Sequence, residues 1–354
     1  MEEKKDTLGM LDLVIRPGFC VKENQIIKVN QAAESLFITP GTDVRPLLLT
    51  GAEEYAAFTG GCLYLTLNLS SHSCGASVTR VDDIDVFLLE QESDNGELRS
   101  MALAARELRE PLTNVMITAD SLFPLCATEE SPRTAEQVAR LNRGLFQILR
   151  IIGNMSDAER CAAVSHQETV DIPALFAEFF EKAETLVSHT GITLTYEGPD
   201  QPIYGLADRE QLERAVLNIL SNAIKFTPKG GTVTAKLTRS GRMLRLSVTD
   251  SGSGIAQNVR SSVFSRYLRQ PALEDSRYGI GLGMVLIRTA AAHHGGAVLI
   301  DQPEGVGTRI TMTMSIRQSK QATLRSNVLR VDYAGERDHG LIELSECLPT
   351  ELYE

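Results

Sequence analysis

Gln211–Phe226, QLERAVLNILSNAIKF, is the stretch whose reading decides the fold. Leu212, Val216, Ile219, Leu220 and Ala223 recur at steps of three and four, which predicts an amphipathic helix with one side in a core. Asn218 and Asn222 are four apart and share a face, and Lys225 follows three residues later. Two asparagines on a helix are ordinarily a solvated face. Carboxamide oxygens also suit Mg²⁺, a hard cation that is commonly held together with phosphate oxygens. A lysine beside them would balance phosphate charge.

The segments that follow change the weight of those two readings. Leu244–Asp250 alternates like a strand and runs into Asp250-Ser251-Gly252-Ser253-Gly254. Glycines there let the backbone turn sharply and approach a ligand, and a carboxylate at the strand end could accept from an adenine amino group. Alone, this pattern is also a plain turn. Gly279-Ile280-Gly281-Leu282-Gly283 opens a helix over Leu282–His293, whose first amides would attract phosphate. The preceding context is a loop, which excludes a dinucleotide-binding fingerprint. Gly305-Val306-Gly307-Thr308 then leads into a strand over Arg309–Met314.

In this order the four motifs resemble the ATP-binding domain of sensor histidine kinases, a GHKL/Bergerat-type α/β sandwich shared with gyrase, Hsp90 and MutL. The resemblance implies ATP and Mg²⁺ as cofactors. It assigns Asn218 and Asn222 to the metal and phosphates, with Lys225 beside them, and Asp250 to adenine, with Thr308 near it. It makes Gly252, Gly254, Gly279, Gly281 and Gly283 the frame of the pocket and lid. Phe264–Arg269 resembles the family's F-box: an aromatic anchors the lid, and Arg269 is the arginine that approaches the γ-phosphate, or else part of a solvated lid surface. Gyrase-type ATPases need a glutamate base one turn before the metal asparagine. Asn218 stands there, which argues against a mechanical ATPase.

Upstream, Arg106-Glu107-Leu108-Arg109-Glu110-Pro111-Leu112 resembles the H-box of the same family, H-E-L-R-x-P-L, with arginine where the phospho-acceptor histidine belongs. A guanidinium stays charged and offers no lone pair. The resemblance therefore implies no intact catalytic residue on this helix. Glu110 replaces the Thr or Asn that orients water in relatives that dephosphorylate their partner, and it could pair with Arg106 at i,i+4. Around this run, Leu103, Leu108, Leu112, Val115, Met116, Ala119 and Leu122 have helical spacing; Ser131-Pro132 marks a restart, and Val138, Leu141, Leu145, Ile148, Leu149 and Ile152 continue it. Two such helices make a hairpin, which buries its stripe by pairing with a second copy as a four-helix bundle.

Residues 10–90 read as a small mixed module. Strands are expected at Leu11–Ile15, Gln25–Val29, Cys62–Leu69, Ala76–Val81 and Asp85–Leu89, with a short helix at Gln31–Leu36. The pattern resembles a PAS-type α/β sensor domain. The tail, 317–354, reads as an added hairpin or a disordered segment and shows no chemistry.

The whole is a multidomain α+β chain: 1–95 sensor, 96–165 dimerisation hairpin, 166–316 ATP-binding domain and 317–354 tail. A net charge of -11 and the absence of tryptophan argue against nucleic-acid binding. The six cysteines are scattered, which suits a reducing cytoplasm and makes a zinc site or disulfide framework unexpected. No apolar run approaches the ~20 residues that span a bilayer. Expected partners are a second copy and a response regulator or partner kinase. Two functional readings stand: a signalling pseudokinase that binds Mg-ATP, or a kinase that phosphorylates a histidine or other residue of a separate protein. The six histidines read as surface or capping residues.

Overall fold

The computed structural model describes residues 8–9, 11–69, 72–90, 92–127, 132–163, 167–255, 264, 282–303, 307–317 and 337–353. The N-terminal module is an antiparallel sheet of β1 (Gly18–Lys22), β2 (Gln25–Val29), β3 (Cys62–Asn68), β4 (Ser73–Val81) and β5 (Ile84–Leu89), in the order β2-β1-β5-β4-β3. Glu23 and Asn24 both take positive φ, which gives the two-residue turn that β1 and β2 need. Phe19 stacks on Phe87 across β1 and β5 at 4.7 Å and forms the middle of this core with Leu63, Leu65 and Val78. Helices α1 (Gln31–Glu34) and α2 (Ala52–Ala56) flank the sheet.

The expected strand at Leu11–Ile15 is not formed. Those residues make a turn, with Leu13 and Ile15 exposed, and the first strand begins at Gly18. The cause is Asn30. Its buried amide donates to the carbonyls of Leu11, Val14 and Arg16, while its Oδ1 accepts from the Gly18 and Ala33 amides. One side chain thus caps α1 and takes up the carbonyls a strand would have offered to a neighbour.

Helices α3 (Glu92–Ala127) and α4 (Pro132–Ala163) form the hairpin. Ala102, Ala105, Leu112, Met116 and Ala119 are buried on α3, and Ala139, Leu145, Phe146, Leu149 and Ile152 on α4. The α3 set steps by three, four and seven, a seam of the coiled-coil kind. Leu103, Leu108 and Val115 lie off that seam and are exposed, as are Ile117, Leu141, Ile148 and Ile151.

The third part places α5 (Ile172–Val187), α6 (Arg209–Phe226) and α7 (Leu282–His293) against a sheet ordered β11-β12-β10-β9-β7. These strands are β7 (Thr193–Glu197), β9 (Thr232–Ser240), β10 (Met243–Asp250), β11 (Val298–Asp301) and β12 (Arg309–Ser315), all antiparallel except for β7 with β9. A separate ribbon pairs β6 (Glu168–Asp171) with β8 (Tyr204–Ala207). The two sheets are joined edge to edge: β3 pairs with β11, Leu63 opposite Leu299. This gives one ten-stranded sheet and covers an edge that would otherwise be open to pairing.

The tail departs from expectation. Residues 337–353 include α8 (His339–Glu343) and a 3-10 turn at Thr350–Tyr353, and they pack against α4, α5 and α6. Ile342, Leu344, Leu348 and Tyr353 are buried, and the Tyr353 ring meets Phe146 edge-on at 5.2 Å.

Candidate functional site

The site lies between α6 and the end of β10. Asp208 starts α6: its Oδ1 accepts from the Gln211 amide, and its own amide donates to His294 Nε2 at 3.0 Å. His294 Nδ1 faces the Ala290 carbonyl at 2.7 Å, so that nitrogen carries the proton. Burial holds both His293 and His294 below the ordinary imidazole range. His294 is thus a buried brace between the end of α7 and the start of α6, where a surface or capping residue was expected.

On α6, Leu212, Val216, Ile219 and Leu220 are fully buried, and this fixes the rotation of the helix. Asn218 is nearly fully buried. Its Nδ2 donates to the Arg214 carbonyl and to Glu343 Oε2, whereas its Oδ1 is buried with no hydrogen-bond partner. That oxygen faces Gly283, where a Cβ would stand 2.7 Å from it. Asn222 is half-buried one turn on, with Nδ2 against Met284 Sδ. The first residues of α7 therefore lie over the carboxamide row. An unsatisfied amide oxygen in such a place is a donor fit for a hard cation. Among the described residues no cluster of His, Cys, Asp or Glu could hold a metal alone, so a cation here would take its remaining ligands from phosphate or water.

Asp250 ends β10 and is buried. Its Oδ1 accepts from the Gly252 amide at 2.8 Å and the Thr308 amide at 3.2 Å. Burial raises its pKa, and the two amide bonds oppose that rise. Thr308 is tied to the same residue a second time, its carbonyl accepting from the Asp250 amide. The approach is close enough to require glycine. A Cβ on Gly307 would come within 1.8 Å of the Asp250 carbonyl oxygen, and one on Gly252 within 2.4 Å of the Phe226 carbonyl. Gly254 and Gly307 both have positive φ. The structure thus brings Asp250, Gly252 and Thr308 together at one end, and Asn218, Asn222 and Gly283 at the other. Arg269, Gly279 and Gly281 lie outside the described residues, as do Gly305 and Val306.

Phe264, the F-box aromatic, is buried against a residue that the sequence did not single out. Its ring packs 5.5 Å from that of Tyr64 on β3, and its carbonyl accepts from Arg288 of α7. Arg288 also stacks over Tyr64 and pairs with Glu90.

On α3, Arg106, Glu107 and Glu110 are exposed. The expected pair between Arg106 and Glu110 is not formed.

Lys225 meets Glu346 Oε2 of the tail at 2.7 Å. Around it, Arg150 of α4 and Arg214 of α6 converge on the fully buried Glu343. Composition could not announce this cluster. The one local clue is that Arg214, Asn218, Ser221 and Lys225 form a polar row on α6, at steps of four, three and four.

Fold and motif order place this part of the chain in one class. Residues 207–318 match the family of histidine kinase-, DNA gyrase B-, and HSP90-like ATPases. An uncharacterized sensor-like histidine kinase of Rhizobium meliloti (strain 1021) is 29% identical over 276 residues, covering 73% of this chain and 52% of that protein. The adaptive-response sensory kinase SasA of Crocosphaera subtropica is 26% identical over 246 residues, covering 66% and 64%. Full-length ShkA, solved in complex with AMPPNP, shares the fold with a TM-score of 0.51 at 23% identity, over 64% of this chain and 47% of that one. Residues 207–318 thus fall in the histidine kinase-type ATPase family, and the longer matches show the chain to be similar to sensor histidine kinases. The chain spans about half the length of the Rhizobium relative and less than two thirds of the Crocosphaera one. Among the described residues no helix is long and apolar enough to cross a membrane.

Proposed function

We propose that this chain is a cytoplasmic signalling protein that binds Mg-ATP and does not phosphorylate itself on the hairpin. The observation that carries the reading is the contrast between its two halves. The Asp250–Thr308 cluster and the unsatisfied Asn218 Oδ1 are arranged to receive a ligand, whereas the exposed acceptor position on α3 holds Arg106. Asn218 and Asn222 would hold Mg²⁺ with the phosphates, Lys225 would balance their charge, and Asp250 would accept from adenine. Arg269, Gly279 and Gly281 would complete the lid. The five-stranded N-terminal sheet is read as a PAS-like sensor, and the hairpin as the dimerisation domain, closing a four-helix bundle with a second copy. That ShkA was solved with AMPPNP supports the nucleotide assignment. The other reading, a kinase acting on a response regulator or partner kinase, is favoured by the intact ATP-side motifs alone.

Labelled ATP separates the two. Wild type should take up no acid-labile label on the hairpin, while Arg106→His, with Glu107 beside it, should regain some. Strong labelling of wild type at any residue, or label passed to a response regulator, overturns the pseudokinase reading.

A further inference from the structure

The groove between α4 and α6 is filled by the chain's own C-terminus, and the filling is anionic. Glu346 Oε2 lies 2.7 Å from Lys225 Nζ and 3.0 Å from Arg150 Nη1. Glu343 Oε1 lies 3.1 Å from Arg214 Nη2, and its Oε2 is 3.4 Å from Arg150 Nε and from Asn218 Nδ2. Cys347 Sγ packs on Ser221 between them. The whole polar row of α6 is therefore engaged by three tail residues within one turn and a half. Two of the four, Asn218 and Lys225, are groups assigned above to metal and phosphates. Burial alone would raise the Glu346 carboxyl, but Arg150 and Lys225 hold it below the ordinary carboxylate range, so it docks as an anion.

The seat is built for this segment. On α4, Asn142 donates to the Tyr353 carbonyl, Arg143 to the carbonyls of Ser345 and Glu346, and Gln147 to that of Ser345. Arg337 pairs with Asp120 of α3, and His339 faces Glu213. Backbone acceptors, two carboxylates and four buried apolar side chains are all used, which sets this apart from a chance surface contact.

We propose that residues 337–353 are an intramolecular competitor of Mg-ATP. Two carboxylates presented to a lysine, two arginines and a carboxamide supply what a polyphosphate would supply, charge-assisted acceptors in a row. A lysine committed to Glu346 is not available to a phosphate, so nucleotide binds the undocked fraction and its apparent affinity falls by that fraction. The proposal rests on the nucleotide-binding reading above.

The test is titration of a fluorescent ATP analogue with Mg²⁺ into the full chain, into a chain ending at residue 336, and into full-length Glu346→Gln. Loss of the tail should tighten binding about tenfold or more, as expected for a segment docked most of the time. Glu346→Gln should tighten it by less, since it frees Lys225 and leaves the apolar anchors. Peptide 337–353 added to the shortened chain should weaken binding again. Equal or weaker binding by the folded shortened chain overturns the proposal and leaves the nucleotide reading standing. No binding by any folded form overturns both. Should the shortened chain not fold, an unchanged affinity in Glu346→Gln is the overturning result.

Discussion

Gly307→Ala isolates the contact that holds the adenine end together. Gly307 has φ of 105°, and its Cβ would fall 1.8 Å from the Asp250 carbonyl oxygen. The backbone term alone, an L-residue forced into positive φ, is about 1–2 kcal/mol. The clash adds to it, because the obstacle is a strand carbonyl that cannot swing aside. Clearing it requires the loop to retreat by roughly 1.5 Å, to ordinary van der Waals separation. That movement breaks the Thr308 amide bond to Asp250 Oδ1 and strains the Asp250 amide bond to the Thr308 carbonyl. At about 1.5–3 kcal/mol for the bond to the carboxylate and up to about 1 for the neutral one, the total with the backbone term is about 3–6 kcal/mol. Gly241→Ala is the matched control. It too has positive φ, 57°, but a Cβ there meets nothing within 4 Å. It should cost only the backbone term and leave nucleotide binding intact. Urea unfolding of both variants measures the difference, and calorimetry with Mg-ATP measures the site. Equal destabilisation, or full nucleotide affinity in Gly307→Ala, would refute the close-approach argument.

Two further expectations follow from the same geometry. His293 and His294 are held neutral by burial, so the unfolded chain takes up protons near pH 6.5 that the folded chain refuses. Stability should be full above about pH 6.5 and fall as pH drops below it; a urea-midpoint slope between pH 7.5 and 5.5 that is unchanged in both His293→Gln and His294→Gln would contradict this. The hairpin leaves Leu103 63% and Ile117 60% exposed on α3, so the chain should scatter light as a dimer, and Ile117→Lys or Leu103→Lys should shift it toward monomer. A wild-type monomer at micromolar concentration would reject the pairing.

What the sequence made legible was local. The α6 helix was readable because its apolar residues and its asparagines lie within five turns of each other. The Asp250 loop was readable because the glycines that allow close approach follow the carboxylate directly. Long-range satisfaction of buried polar groups was not readable. Nothing near Asn30 indicates that its amide will take the carbonyls of Leu11, Val14 and Arg16, so an apolar run at Leu11–Ile15 read as a strand. His294 read as a surface or capping group because its partner, the Asp208 amide, is 86 positions away. Glu343 looked like one more acid in a charged tail. Its burial depends on partners far upstream, among them Arg214 and Arg150, 129 and 193 positions away.

The docked tail bears on the hairpin through Arg150. A nucleotide domain that delivers a phosphoryl group to a hairpin must move relative to that hairpin. Here α4 and α6 are held by a shared set of buried charges, with Arg150 reaching Ser221 directly and Glu343 bridging Arg150 to Arg214. Separating one partner of such a set from the others costs about 3–5 kcal/mol, because an uncompensated charge stays behind. Release of the tail would remove Glu343 and Glu346 from this set and leave the direct Arg150–Ser221 and Asn154–Arg214 contacts between the two helices. On the proposed reading of Arg106 as a replaced acceptor, that release has no phosphoryl transfer on the hairpin to serve. Its remaining consequence is to free the polar row of α6 and loosen the hairpin from the nucleotide domain together. On the proposed reading, nucleotide occupancy and hairpin geometry are two readouts of one docking equilibrium, and ATP acts as the ligand that shifts it.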